Sequence, residues 1–273
     1  MKLLRWAAII LVFVVAIRVP LEAQIGVSAL SVDMNLPPGG SFAGAYEVLN
    51  NSQQPRKFTV EIKDYDRNLD GGLVLLPPAT HPRSLAKFLS VTPTEFTLAP
   101  GQKQTISFTV QIPSTERGPN WSAIVVTSLY SAPSPQGGEA DQQPQPPIGV
   151  QIGTAEQFVT KIRRTDPTNA VNRGRILSVR ALLPERDRPL RIVTEYENTG
   201  TTFQQLKVEL RVINTKGEVV RQRQLSDVVL LPGGKQRIEI PVTPALSPGT
   251  YLALVIIDFG GDVLLAGQVR VQL

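Results

Sequence analysis

The sequence predicts an all-β protein: two β-sandwich domains in tandem behind an N-terminal export segment. Three observations carry this. Apolar and polar residues alternate with period two along much of the chain, the pattern of strands with one buried face. Prolines (23) and glycines (21) are frequent in 273 residues, which favours many turns over long helices. The second half of the chain also repeats landmarks of the first.

The export segment comes first. Lys2 and Arg5 precede an unbroken apolar run over residues 7–17, and Leu21-Glu22-Ala23 puts a small residue where signal peptidase cuts. Residues 1–23 read as a cleaved secretory signal. The run is short for a membrane helix, which takes roughly 18 or more apolar residues. No stable membrane span is expected after cleavage, and the expected location is the periplasm or the cell surface. Cleavage removes Lys2, Arg5, Arg18 and Glu22, so the formal charge of +5 falls to +3. That is too weak a surplus to argue for nucleic acid.

Strands follow throughout. Phe58, Val60 and Ile62 alternate with polar neighbours, as do Ile106, Phe108, Val110 and Ile112, and Leu206, Val208, Leu210 and Val212. "WSAIVVTSLY" (121–130) is apolar on both faces and reads as a central strand. A helical turn is expected only near 83–88.

The repeat sets the domain count. "YEVLNNSQQPRKFTVEI" (46–62) is echoed by "TEYENTGTTFQQLKVEL" (194–210), and "LAPGQKQTISFTV" (98–110) by "LLPGGKQRIEIPV" (230–242). Asn50 and Asn198 are 148 residues apart, Pro100 and Pro232 only 132, so the first copy carries about 16 extra residues, placed roughly at 66–84. Residues 169–273 suffice for a complete immunoglobulin-like domain. The strand in 148–164 then closes the first domain, 24–165. The polar, Pro-rich stretch 131–147 becomes a mobile loop within that domain rather than the linker, and "TDPTNA" (165–170) joins the two.

Chemistry is sparse. "DRNLDG" (66–71) begins like a calcium loop, but its twelfth position is Pro77 and its flanks are strands, so Asp70-Gly71 reads as a hairpin turn. Without cysteine, disulfides and thiol chemistry are excluded, and one histidine, His81, excludes most zinc sites. His81 lies in the proline-rich loop "PPATHPRS", and "GGSFAG" misses the spacing of a nucleophile elbow. No catalytic residue, metal or cofactor is expected, and the protein reads as a non-enzyme. One charge cluster stands out: Lys161, Arg163, Arg164, Arg173, Arg175, Arg180, Arg186, Arg188 and Arg191 are opposed only by Asp166, Glu185 and Asp187. It reads either as a solvated face or as an anion site where the domains meet.

The export signal, tandem immunoglobulin-like domains, Asn turns, "LAPGQ", and the last strand ending "FVTKIRR" together resemble the PapD-like periplasmic pilus chaperone superfamily. The first domain also resembles the peptidoglycan-binding domain of WxL-interacting surface proteins, chiefly in "PGQKQTISFTVQIP" (100–113). The chaperone resemblance implies assistance of pilus or surface-protein assembly by β-strand addition to a pilin-like or surface protein subunit. It assigns partner-strand binding to Ile148, Val150, Ile152, Phe158 and Ile162. It places a carboxylate anchor at Lys161 or Arg163. The family's second anchor, an Arg on the first strand, is missing from "IGVSALSV" (25–32), and Arg173 or Arg175 is its candidate replacement. The alternative implied by the second resemblance is an envelope-binding module that recognises peptidoglycan or another surface polymer.

Overall fold

The computed structural model describes residues 25–131 and 153–273. The expected export segment, the loop expected beyond Ser131, and the expected partner-binding positions Ile148, Val150 and Ile152 lie outside the described residues. Ten strands form the first part: β1 (Ile25–Val27), β2 (Ser31–Asn35), β3 (Ser41–Asn50), β4 (Arg56–Arg67), β5 (Leu73–Leu76), β6 (Leu89–Thr92), β7 (Glu95–Leu98), β8 (Lys103–Gln111), β9 (Asn120–Ser131) and β10 (Gly153–Thr165). Seven form the second: β11 (Gly174–Leu182), β12 (Arg191–Asn198), β13 (Gln204–Asn214), β14 (Val219–Leu230), β15 (Lys235–Pro241), β16 (Thr250–Asp258) and β17 (Leu265–Gln272).

Each part is a two-sheet sandwich. The first pairs β1-β3-β8-β6 against β2-β10-β9-β4-β5, with β7 also on β4; the second pairs β11-β12-β15 against β14-β13-β16-β17. The alternation read from the sequence explains both cores. Tyr46, Val48, Phe58, Val60, Ile106, Phe108 and Val110 fill the first. Leu206, Val208, Leu210, Val212, Ile238 and Ile240 are among those filling the second. "WSAIVVTSLY" lies in β9, where Ile124 and Val126 pack into the first core and Trp121, Ala123 and Val125 into a second apolar cluster on the opposite face, which accounts for its two apolar faces. A one-turn 3-10 segment at Ala86–Phe88 falls in the expected helical stretch.

The repeated landmarks are physically joined. Asn50 Nδ2 donates to Leu98 O and Gln54 O, both at 2.9 Å, and its carbonyl accepts from Gly101 N–H at 2.8 Å. Asn198 Nδ2 donates to Leu231 O at 3.1 Å and Thr202 O at 2.8 Å, and its carbonyl accepts from Gly233 N–H at 3.0 Å. Each buried asparagine thus satisfies its own turn and ties it to the Pro-Gly turn some 30 to 50 residues on. Gly101 and Gly233 both take positive φ, 73° and 76°, where glycine carries no Cβ penalty.

Residues 66–84 of the first sandwich form the turn and second strand of a β4–β5 hairpin, followed by a loop over 77–84. The turn at Asp70-Gly71 is closed by Asn68, whose N–H donates to Gly72 O and whose carbonyl accepts from Gly71 N–H, both 2.9 Å. The loop is pinned by Asp64, fully buried on β4. Asp64 accepts from the main-chain N–H of Thr80 and His81, both 2.9 Å, and from the hydroxyls of Ser84 and Ser122. Four donors offset the cost of burying that charge.

A buried polar network ties the linker to the first sandwich. The Arg164 guanidinium is fully buried and donates to Leu36 O, Gly118 O and Asn120 Oδ1 at 2.6–2.8 Å. Asp166 accepts from Gly118 N–H at 2.9 Å and caps the short 3-10 segment Pro167–Asn169 through Thr168.

Candidate strand-addition edge and interdomain cleft

β10 is zipped to β9 along residues 153–164. On its other side β2 runs parallel to it only from Lys161 to Thr165. The Lys161 N–H donates to Leu30 O at 3.1 Å, and the Thr160 hydroxyl donates to Ala29 O at 2.8 Å. Upstream of Thr160, no strand among the described residues covers that side of β10. Main-chain groups alternate sides along a strand. Because Lys161 points its N–H at β2, Val159, Gln157 and Ala155 point theirs at the uncovered edge.

Side chains alternate as well. Glu156, Phe158, Thr160 and Ile162 face the domain's own core. Ile162 is completely buried there, Phe158 packs against the same cluster, and Glu156 pairs with the buried Arg56 at 2.9 Å. This corrects the assignment of Ile162 as a partner-binding side chain, because no part of it is free to contact another chain. Phe158 is half-buried, its body already committed inward. Val159, Lys161 and Arg163 lie on the opposite face, which looks onto the second sandwich.

That face is the cleft between the sandwiches. Its floor is an apolar cluster of Tyr65, Trp121, Ala123 and Val125, to which the second sandwich contributes Leu231 and Phe203. Lys161, Arg163 and Arg67 bring three positive charges close enough to act on one another. The Lys161 ammonium is held below the usual lysine range, first by burial and then by the Arg67 and Arg163 charges, with Asp33 opposing. Arg163 is engaged: it grips Asp33 with two bonds of 2.5 and 2.6 Å and lies 5.5 Å over the Phe203 ring. Arg67 has no carboxylate partner among the described residues; its Nη1 donates to Gly71 O at 2.7 Å, and its buried Nε has no acceptor. The buried Tyr65 hydroxyl is also without a partner. Burial pushes it well above the usual tyrosine range, against the pull of Arg163 and Arg67.

The remaining basic residues do not join them. Arg175 pairs with Glu197 at 2.6 Å and Arg180 with Glu195 at 3.0 Å on the neighbouring strand β12, and Arg191 pairs with Glu239 at 3.2 Å. The charges that act on Lys161 are those of Arg67, Arg163 and Asp33, with neither Arg173 nor Arg175 among them. Of the two readings of the run 161–191, the structure does not gather its arginines into one anion site: cross-strand carboxylates on β12 and β15 pair with three of them, and Arg164 is buried in the network with Asp166. Sequence reasoning missed Arg67. The available signal was phase: Arg67 is two residues beyond Tyr65, on the same face of β4. His81 is structural, its ring 4.8 Å from Trp121 and its Nδ1 accepting from Arg83 N–H at 3.0 Å.

No family model matches the chain, and no curated protein matches it. Among solved structures, a chaperone–tip adhesin complex of CFA/I fimbriae biogenesis is similar at 13% identity and a TM-score of 0.44, covering 90% of this chain and 98% of that one. The E. coli chaperone DraB is similar at 16% identity and TM-score 0.40, over 91% and 98% of the two chains. The Salmonella enterica SafA pilin in complex with the SafB chaperone is similar at 13% identity and TM-score 0.39, over 92% and 96%.

Proposed function

We propose that this is a non-enzymatic exported protein that assists assembly of pilus or surface subunits by β-strand addition on the open edge of β10. In this reading the partner's terminal carboxylate is received by Lys161 and Arg67. The observation that supports it is an edge that no strand among the described residues covers upstream of Thr160, next to Lys161 and Arg67, which have no carboxylate ion pair among the described residues. Edge strands are commonly blunted by prolines, bulges or inward charges. Residues 153–160 contain no proline, and their one acid, Glu156, is neutralised by Arg56.

Magnitudes show why both parts are needed. Ala155, Gln157 and Val159 each offer an N–H and a C=O, at about 0.5–1.5 kcal/mol net per hydrogen bond. Ordering an incoming strand consumes much of that. The edge alone therefore holds a partner weakly, and the anion contact with the apolar floor around Val159 and Val125 supplies the rest. The test is Gln157→Pro. Its N–H faces outward, so proline removes no main-chain bond to β9, only the exposed 3.3 Å side-chain bond to Thr127, yet blocks the edge. The expected outcome is a folded protein that no longer captures subunits in the exporting cell; unchanged capture contradicts the reading.

A further inference from the structure

We infer that the β4–β5 hairpin is a strut: through it the second sandwich grips the first and holds Arg67 in the cleft. The hairpin tip lies against the outer edge of β15. The Arg237 main-chain N–H donates to Leu69 O at 2.6 Å, and the Arg237 guanidinium reaches Asp70 at 3.5 Å. β15 pairs with β12 through its other side, so the tip extends that sheet by one main-chain bond. Gly71 sits flush against Gln236: it has φ +83°, and a Cβ there would meet Gln236 Nε2 at 2.4 Å. A side chain at this position would push the tip off β15.

The same tip holds Arg67. Gly71 O is the acceptor of Arg67 Nη1, and Arg67 is the last residue of β4 before the turn. The carbonyl that aims the guanidinium thus belongs to the loop that the second sandwich clamps. In the second sandwich the equivalent hairpin is β13–β14, whose turn spans residues 215–218. The strut is a positioning device, and its relevance to partner binding rests on the proposed role of Arg67 as an anion ligand.

The experiment uses the full mature chain and two readouts that need no partner: small-angle X-ray scattering, and NMR titration of the Lys161 ammonium, which feels the Arg67 charge. Arg237→Pro removes the N–H that grips Leu69 without touching the ladder to β12, whereas Arg237→Ala keeps that N–H. Gly71→Val attacks the same contact from the first sandwich, which covers the case in which the proline variant fails to fold. The strut predicts that Arg237→Pro and Gly71→Val raise the radius of gyration and move the Lys161 midpoint up toward the ordinary lysine value. Arg67→Gln should reproduce the titration shift, and Arg237→Ala should stay near wild type. If neither Arg237→Pro nor Gly71→Val moves both readouts, or if Arg237→Ala behaves as the proline variant does, the strut is wrong. Subunit capture is scored separately: an Arg67→Gln protein that shows the titration shift but captures normally leaves the strut standing and overturns the proposed role of Arg67.

Discussion

Phe203 of the second sandwich meets Trp121 of the first edge-on, with ring centroids 5.7 Å apart. This contact lies in the apolar cluster that forms the joint between the two sandwiches, and the Arg163 guanidinium over the same Phe203 ring extends it to β10. Trp121 is the only tryptophan beyond residue 23, so its emission reports on the joint. Phe203→Ala should weaken the joint by about 1–2 kcal/mol, the scale of an aromatic pair plus partial burial. The emission should shift to longer wavelength as water reaches the indole. An unshifted spectrum would show that the sandwiches do not rest on this contact in solution.

Much of the fold was legible because each strand carries a clean period-two pattern, and because Asn50/Asn198 and Pro100/Pro232 mark the same turn-to-turn bond in both copies. The hairpin at 66–71 was legible from Asp70-Gly71. What it touches was not: a main-chain carbonyl at Leu69 and a main-chain N–H at Arg237 leave no mark on residue identity. The site was half legible. Lys161 and Arg163 were read as candidate anchors from their place on the last strand, and run counting gathered arginines that cross-strand acids neutralise. It also passed over Arg67, which only the pleat phase of β4 brings to the same face. Ile162 was misassigned because alternation alone does not say which face of β10 is already buried.

Ile162 gives the simplest check of that correction. It is 0% exposed within the first core, so Ile162→Ala should cost about 2–5 kcal/mol, the range for truncating a packed aliphatic side chain. Denaturant unfolding measures it directly. A loss below about 1 kcal/mol would return Ile162 to the partner-binding set.

The buried network of Arg164 and Asp166 should make the stability of the first sandwich strongly dependent on both residues. Arg164→Met leaves Leu36 O, Gly118 O and Asn120 Oδ1 without their donor in a buried site. The expected loss is about 3–5 kcal/mol, as for breaking a buried charged network by removing one member. A variant within about 1 kcal/mol of wild type would mean that water replaces the guanidinium.

The Arg164–Asp166 network should also be acid-labile. Burial alone would raise Asp166, but hydrogen bonds from Thr168 and Gly118 and the Arg164 charge outweigh it and hold the carboxyl below the usual range. A carboxylate depressed in the folded state adds stability that is complete above its unfolded value, near 3.9. That stability fades as the pH falls through the folded value. Wild type should therefore lose more stability than Asp166→Asn as the pH drops below about 4. Parallel pH profiles for the two proteins would contradict this.

Strand addition on β10 is tested most directly by photo-crosslinking in the exporting cell, with a photoreactive side chain at position 157 and a control at the solvent-facing position 239. The account predicts a discrete protein adduct at 157 and none at 239. The crosslink should map to an extended segment near the partner's carboxyl terminus, and an additional Ala155→Pro change, which blocks the outward edge, should abolish it. Adducts to glycan, or a protein adduct that survives Ala155→Pro, would contradict it.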